Sequence, residues 1–165
     1  MQDGRELPGF KKKSFALPFG GGEIWFEHLD GMYGYSELVL EKLSADMPVF
    51  QRPSAPSNIG FVLDETDITD GIIEMISASL LDTRKRFMRA AFIGADRRTA
   101  KLLKKRLYGR RSRLWQFRLA EPSSLQQMIC SADRKLLYRQ HTNGFALCFF
   151  SDFEKAKQWL VSEGI

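Results

Sequence analysis

The sequence predicts an α/β domain with a mixed, mostly parallel central sheet, an N-terminal hairpin and packed helices. Three observations carry that expectation. The short apolar runs "GFVL", "AAFIG" and "ALCFF" have the profile of strands covered on both faces. Each passes into a stretch whose apolar residues recur at helical spacing, and such alternation requires parallel neighbours joined by covered crossovers. With 165 residues, 44% hydrophobic content and thirteen Phe, the chain holds the core material of one domain of ordinary size. Residues 1–9 are read as a flexible N-terminal tail and 10–165 as the single domain.

Taken in order, "FKKKSFALPF" and "EIWFEHLDG" are two extended segments joined by Gly20-Gly21-Gly22, the pattern of a hairpin. Ser36 stands where the cap of a short helix, "SELVLEKL", belongs, with Leu38, Val39 and Leu43 available to a core. "MPVFQRPSAPSN" is read as a surface loop because it holds three prolines. "IGFVL" is a buried strand, after which Ile72, Ile73, Ile76 and Leu80 form one apolar helical stripe. "FMRAAFIG" is a second buried strand, with Asp96 in the N-cap position of the helix that follows. On that helix, about Arg97 to Leu107, Ala100, Leu103 and Leu107 share one face; Arg97, Arg98, Lys101, Lys104 and Lys105 crowd the other. "RLWQFRLA" is read as a strand, "SSLQQMICSA" as a short helix, and "KLLYRQH" as either strand or helix. "GFALCFF" is a strand, and "SDFEKAKQWLVSE" opens with the Ser151 to Glu154 spacing of a capping box before Phe153, Ala156 and Leu160 line one side.

The net charge of +5 conceals a marked asymmetry. From Arg84 to Arg118, Lys or Arg recurs throughout against the single acid Asp96, so the rest of the chain is acidic on balance. One strongly positive side attracts anions, although solubility alone also favours such a surface. No apolar run reaches the roughly 20 residues that span a bilayer, and the first residues lack an apolar signal segment. A cytoplasmic location is therefore expected. Cys130 and Cys148 are too few for a disulfide scaffold or structural zinc site and are read as buried thiols.

The order of these parts resembles the STAS and SpoIIAA-like group, small bacterial domains similar to anti-sigma-factor antagonists and related in fold to Sec-fourteen-type lipid binders. The resemblance spans about residues 10 to 163 and is most specific in the ending, where an aromatic strand passes into Asp-Phe-Glu-x-Ala-x-x-Trp-Leu. It implies a binding or regulatory module without enzymatic activity. In the antagonists, a phosphorylatable Ser within Asp-Ser-Ser-Gly starts the helix after a strand. The corresponding place here holds Thr69-Asp70-Gly71. Thr69 keeps a hydroxyl, while Asp70 replaces the neighbouring Ser.

Two regions are candidate sites. The acidic loop at the end of "GFVL" carries Asp64, Thr66, Asp67, Thr69, Asp70 and Gly71, and would serve as a switch or ligand loop. Its alternative role is helix capping by Asp67 or Thr69, with carboxylates favoured at the positive end of the helix dipole. The second candidate is an anion-binding basic surface of Arg97, Arg98, Lys101, Lys104, Lys105, Arg110, Arg111 and Arg113. Such charge density suits phosphate-rich partners or an anionic membrane, and Tyr108, Trp115 and Phe117 lie among the arginines. If the two strands are neighbours, Arg97 or Arg98 would pair with Asp67 or Asp70.

Catalytic patterns are not expected. "LDETD" is similar to the Asp-x-Asp-x-Thr motif of haloacid-dehalogenase-type phosphatases. However, Thr66 stands where the second Asp belongs, and no later Asp-Asp pair completes a magnesium site. The glycines at 20–22 precede a strand rather than a helix and so form no phosphate cradle. His28 and His141 are read as ordinary core or surface histidines. No metal or cofactor is expected, and the expected partner is another protein or an acidic or lipidic ligand. Nucleic acid, bound through residues 84–118, is the alternative.

Overall fold

The computed structural model describes residues 13–81, 87–109, 117–118, 139–141 and 146–161. The expected N-terminal tail, the helix expected over "SSLQQMICSA", and Cys130 lie outside the described residues. So do Arg110, Arg111 and Arg113.

The hairpin forms as the glycines require. Strand β1 (Phe15–Phe19) turns through Gly20 and Gly21 into β2 (Gly22–His28), pairing Phe15 with Phe26 and Phe19 with Gly22. From β2 the chain alternates: α1 (Ser36–Phe50), β3 (Asn58–Val62), α2 (Asp70–Leu81), β4 (Arg89–Ile93) and α3 (Arg97–Gly109). Two short segments follow, β5 (Phe117–Arg118) and β6 (Arg139–His141), and then β7 (Ala146–Phe150) and α4 (Phe153–Val161). The sheet order is β1-β2-β3-β4-β7-β6-β5. β2, β3, β4 and β7 are parallel, β1 and β6 run antiparallel to them on either side, and β5 pairs antiparallel with β6.

Because β2, β3 and β4 advance in one direction, their right-handed crossovers put α1, α2 and α3 on one face. Val39, Leu43 and Phe50 of α1, the predicted Ile72, Ile73, Ile76 and Leu80 stripe of α2, and Leu103 and Leu107 of α3 share one core with Trp25, Ile59, Phe61, Phe92 and Phe149. The alternate residues Ile24, Phe26, Val62, Ala91, Ile93 and Cys148 face the other way and pack on Ala156, Trp159 and Leu160 of α4. Phe61 stacks on Phe92, and Phe92 on Phe149, at 5.4 and 5.2 Å. Gly60 is required by close approach: a Cβ there would stand 2.6 Å from Cε1 of Phe26, its register partner.

Several local expectations are corrected. α1 continues through Met47–Phe50, residues read as loop, with Pro48 inside its last turn. Proline there forfeits one hydrogen bond, but the added turn brings Phe50, fully buried, against Trp25, Phe61 and Phe87. Tyr35 rather than Ser36 holds the N-cap position of α1, without a side-chain cap. The cap of α4 is Asp152, whose Oδ1 accepts from the Glu154 N–H at 2.8 Å, and not Ser151. In β2, Ile24 to Glu27 are all buried, between the two helical layers.

Candidate functional site

At the C-terminal ends of the parallel strands, the chain's continuations are tied to each other. Leu29 N–H donates to Val62 O, Gly31 N–H to Asp64 O, Leu63 N–H to Ile93 O and Gly94 N–H to Phe150 O, at 2.8 to 3.0 Å. Ligand crevices in open parallel sheets form where the strand order reverses. Across β2, β3 and β4 it does not reverse, so this edge is a knitted surface.

The acidic loop divides by residue. Thr66 is buried and locks two loops together: its hydroxyl donates to Leu29 O at 2.5 Å and accepts from Met32 N–H at 3.2 Å. Asp67 Oδ2 accepts from Gly34 N–H at 3.0 Å. Thr69 caps α2, its Oγ1 accepting from Ile72 N–H at 3.3 Å. Asp64 lies over the backbone of Gly94, where a Cβ would stand 2.1 Å from Oδ1 and the φ of +80° also favours glycine. Glu65, at the tip, has a φ of 53°. Gly71 is exposed in the first turn of α2.

β3 and β4 are neighbours, and the expected cross-loop ion pair forms between Asp70 and Arg98. Nη2 of Arg98 donates to Asp70 Oδ1 at 2.7 Å, and Nη1 donates to Ile68 O at 3.3 Å. Both side chains are more than half exposed. Asp96, itself exposed, caps α3 through Thr99 N–H at 2.7 Å, and chiefly that bond holds its carboxyl below the usual range. Tyr33, 61% exposed, stands beside Gly34 and hence next to Asp67. Its signal in the sequence was an aromatic residue set between two loop glycines, Gly31 and Gly34.

The basic surface is narrower than its spacing suggests. Arg97, Lys101 and Lys105 are exposed. Lys104 is half-buried, its Nζ 5.9 Å from the Phe149 ring, and Arg106 pairs with Glu74 of α2. Lys104 therefore belongs to the packed side of α3, where its aliphatic stem covers the end of β7.

A second polar group escaped the sequence reading. Glu27 is fully buried on the α1 side of β2. Its Oε2 accepts from the Trp25 indole N–H at 3.0 Å, and its Oε1 lies 3.5 Å from Lys42 Nζ. Lys42 donates to Asp46 at 2.9 Å and to Ser14 Oγ at 2.6 Å. Burial foremost, and then a hydrogen bond shared with Asp46, push Glu27 up to about 8. Burial also raises Asp46, but hydrogen bonds from Glu27, Lys42 and Ser14 outweigh it and leave that carboxyl below its ordinary value. Lys42 acts toward Ser14 as a donor, the opposite of what a serine nucleophile needs. The available signal was a carboxylate in a strand otherwise buried on both faces, opposite an i, i+4 Lys–Asp pair.

On the far side of β2, His28 stacks on Phe15 at 5.8 Å, with Nδ1 3.2 Å from Asp30 Oδ1. Among the described residues, no three His, Cys, Asp or Glu side chains cluster as a metal site, and no helix is long and apolar enough to cross a membrane. Comparison with family models, curated proteins and solved structures found no match to this chain.

Proposed function

We propose that this protein is a non-enzymatic binding or regulatory module of the STAS/SpoIIAA-like kind that engages another protein at the C-terminal edge of its sheet. The observation that supports it is the exposed Asp70–Arg98 pair, which bridges the β3–α2 and β4–α3 turns. An ion pair in solvent contributes little to stability, so its groups are free to exchange partners at small cost. Tyr33, exposed and adjoining the Gly34 that bonds to Asp67, adds a residue type enriched at protein interfaces. An acidic or lipidic ligand would compete for the same arginine through charge-assisted hydrogen bonds. A phosphate on Thr69 would do the same, since that hydroxyl stands at the positive end of α2.

The second reading, binding of nucleic acid or an anionic membrane, is favoured by exposed Arg97, Lys101 and Lys105 on α3. One set of captures separates the two. The chain carrying Tyr33→Ala, Arg98→Ala or Thr69→Glu is compared with Lys101→Ala/Lys105→Ala for proteins retained from its own host at two salt concentrations. Oligonucleotide retention and liposome flotation are run beside it. Loss of one reproducible protein partner in the edge variants alone supports the edge. Loss of oligonucleotide or liposome binding in the lysine variant alone selects the basic surface.

A further inference from the structure

The corner where β1, β2 and α1 meet holds two carboxyls and one ammonium away from solvent. Glu27 is 0% exposed, and the side chains of Lys42 and Asp46 are 13% and 27% exposed. Among the described residues, no hydrogen bond reaches Oε1 of Glu27 from an N–H or hydroxyl donor, whereas Oε2 is taken by the Trp25 indole. Oε1 instead lies 3.5 Å from Lys42 Nζ, which also binds Asp46 Oδ2 at 2.9 Å, so that one ammonium faces two carboxyls. One ammonium balances one carboxylate, so the second carboxyl, the wholly buried Glu27, is favoured in its protonated form. With that proton in place the corner is neutral, a carboxylate against an ammonium; without it, one uncompensated negative charge is buried.

The cluster also grips the edge strand. Ser14, the residue before β1, accepts from Lys42 Nζ and from His28 N–H at 2.6 and 3.0 Å. Among the described residues, Trp25 on its own strand bonds to Glu27, and across the β3 pairing its register partner is apolar Phe61. His28 and Asp30 lie beyond it at the end of β2, joined to each other.

We propose that Glu27, Asp46 and Lys42 form a proton-operated latch that holds Ser14 and edge strand β1 on α1. The latch is closed while the two carboxyls share one proton and opens when that proton passes to solvent. Opening relieves the buried charge by letting water reach Glu27, which requires Lys42 and Ser14 to part. The start of β1 then loses its attachment to α1, while β2 remains held by β3.

The indole N–H of Trp25 reports directly on Glu27. In the full chain labelled with ¹⁵N-tryptophan, and assigned with Trp25→Phe, its resonance should titrate with a midpoint near 8. Over the same range, hydrogen-exchange protection of β1 relative to β3 should fall about tenfold or more. Asp46→Asn should lower the midpoint and Lys42→Met should raise it. Glu27→Gln should abolish both responses. A Trp25 midpoint in the ordinary carboxylate range, or β1 protection independent of pH in the wild type, overturns the proposal. So does a β1 response that persists in Glu27→Gln and vanishes in His28→Gln. Should Glu27→Gln not fold, the direction of the Asp46→Asn midpoint decides.

Discussion

Two regions of this molecule join acids to bases, and they differ in nearly everything except the residue types. At the strand ends, Asp70 and Arg98 meet in solvent, 74% and 59% exposed. At the β1–α1 corner, Glu27, Asp46 and Lys42 meet where little water reaches. In high dielectric, the attraction at contact distance is on the order of 1 kcal/mol and salt screens it. In the corner, desolvation dominates and decides which carboxyl keeps its proton. The exposed pair thus contributes little to the fold, whereas the buried group helps to hold it together in a way that depends on pH.

The largest test of that contrast removes the buried cation. Lys42→Met leaves the Asp46 carboxylate half-buried without its countercharge and should cost about 3 kcal/mol in urea unfolding at neutral pH. A loss no greater than that of Arg98→Met would place the two regions in one class.

Next comes pH. The folded chain keeps the Glu27 proton up to about 8, against an ordinary value of 4.5, so between these values it binds a proton that the unfolded chain has released. The contribution of Glu27 to stability is therefore full below about 4.5, declines as pH rises, and is lost through 8. The urea midpoint should fall between pH 5 and a pH above 8 in the wild type and change less in Glu27→Gln. Asp96 acts in the opposite sense: its lowered carboxyl adds stability above its ordinary value that disappears as acid titrates the folded state.

Smaller effects belong to the edge. Thr69→Ala removes the cap of α2 and should cost about 1 kcal/mol by thermal or urea unfolding. Smallest is the coupling between Asp70 and Arg98, about 0.5 kcal/mol in a double-mutant cycle and lower still in high salt. A coupling several times larger and indifferent to salt would mean that this pair is structural and not free to exchange.

Much of the architecture was legible because it depends on local periodicity. The Ile72, Ile73, Ile76 and Leu80 stripe, the runs "GFVL", "AAFIG" and "ALCFF", and the Asp96 cap all fall where spacing and capping chemistry put them. Propensity misled at Pro48, where burial of Phe50 against three aromatic rings outweighs one lost hydrogen bond. The candidate edge was half legible. Juxtaposition of the two turns follows once β3 and β4 are neighbours, and the Asp70–Arg98 pair was among those expected. The separate duties of Thr66 and Asp67 were not legible, because both bond to the β2–α1 loop more than thirty residues earlier in the chain.

The sequence by itself therefore determined the alternation of strands and helices, the faces that α2 and α3 bury, and the capping of α2 and α3, each a property of residues within a few positions of one another. Only the tertiary structure decided that Glu27 lies in the core, that Lys104 folds back over Phe149, and that the strand ends are knitted closed. Those outcomes depend on which distant segment covers a residue. Dielectric environment, unlike periodicity, belongs to no short stretch of chain.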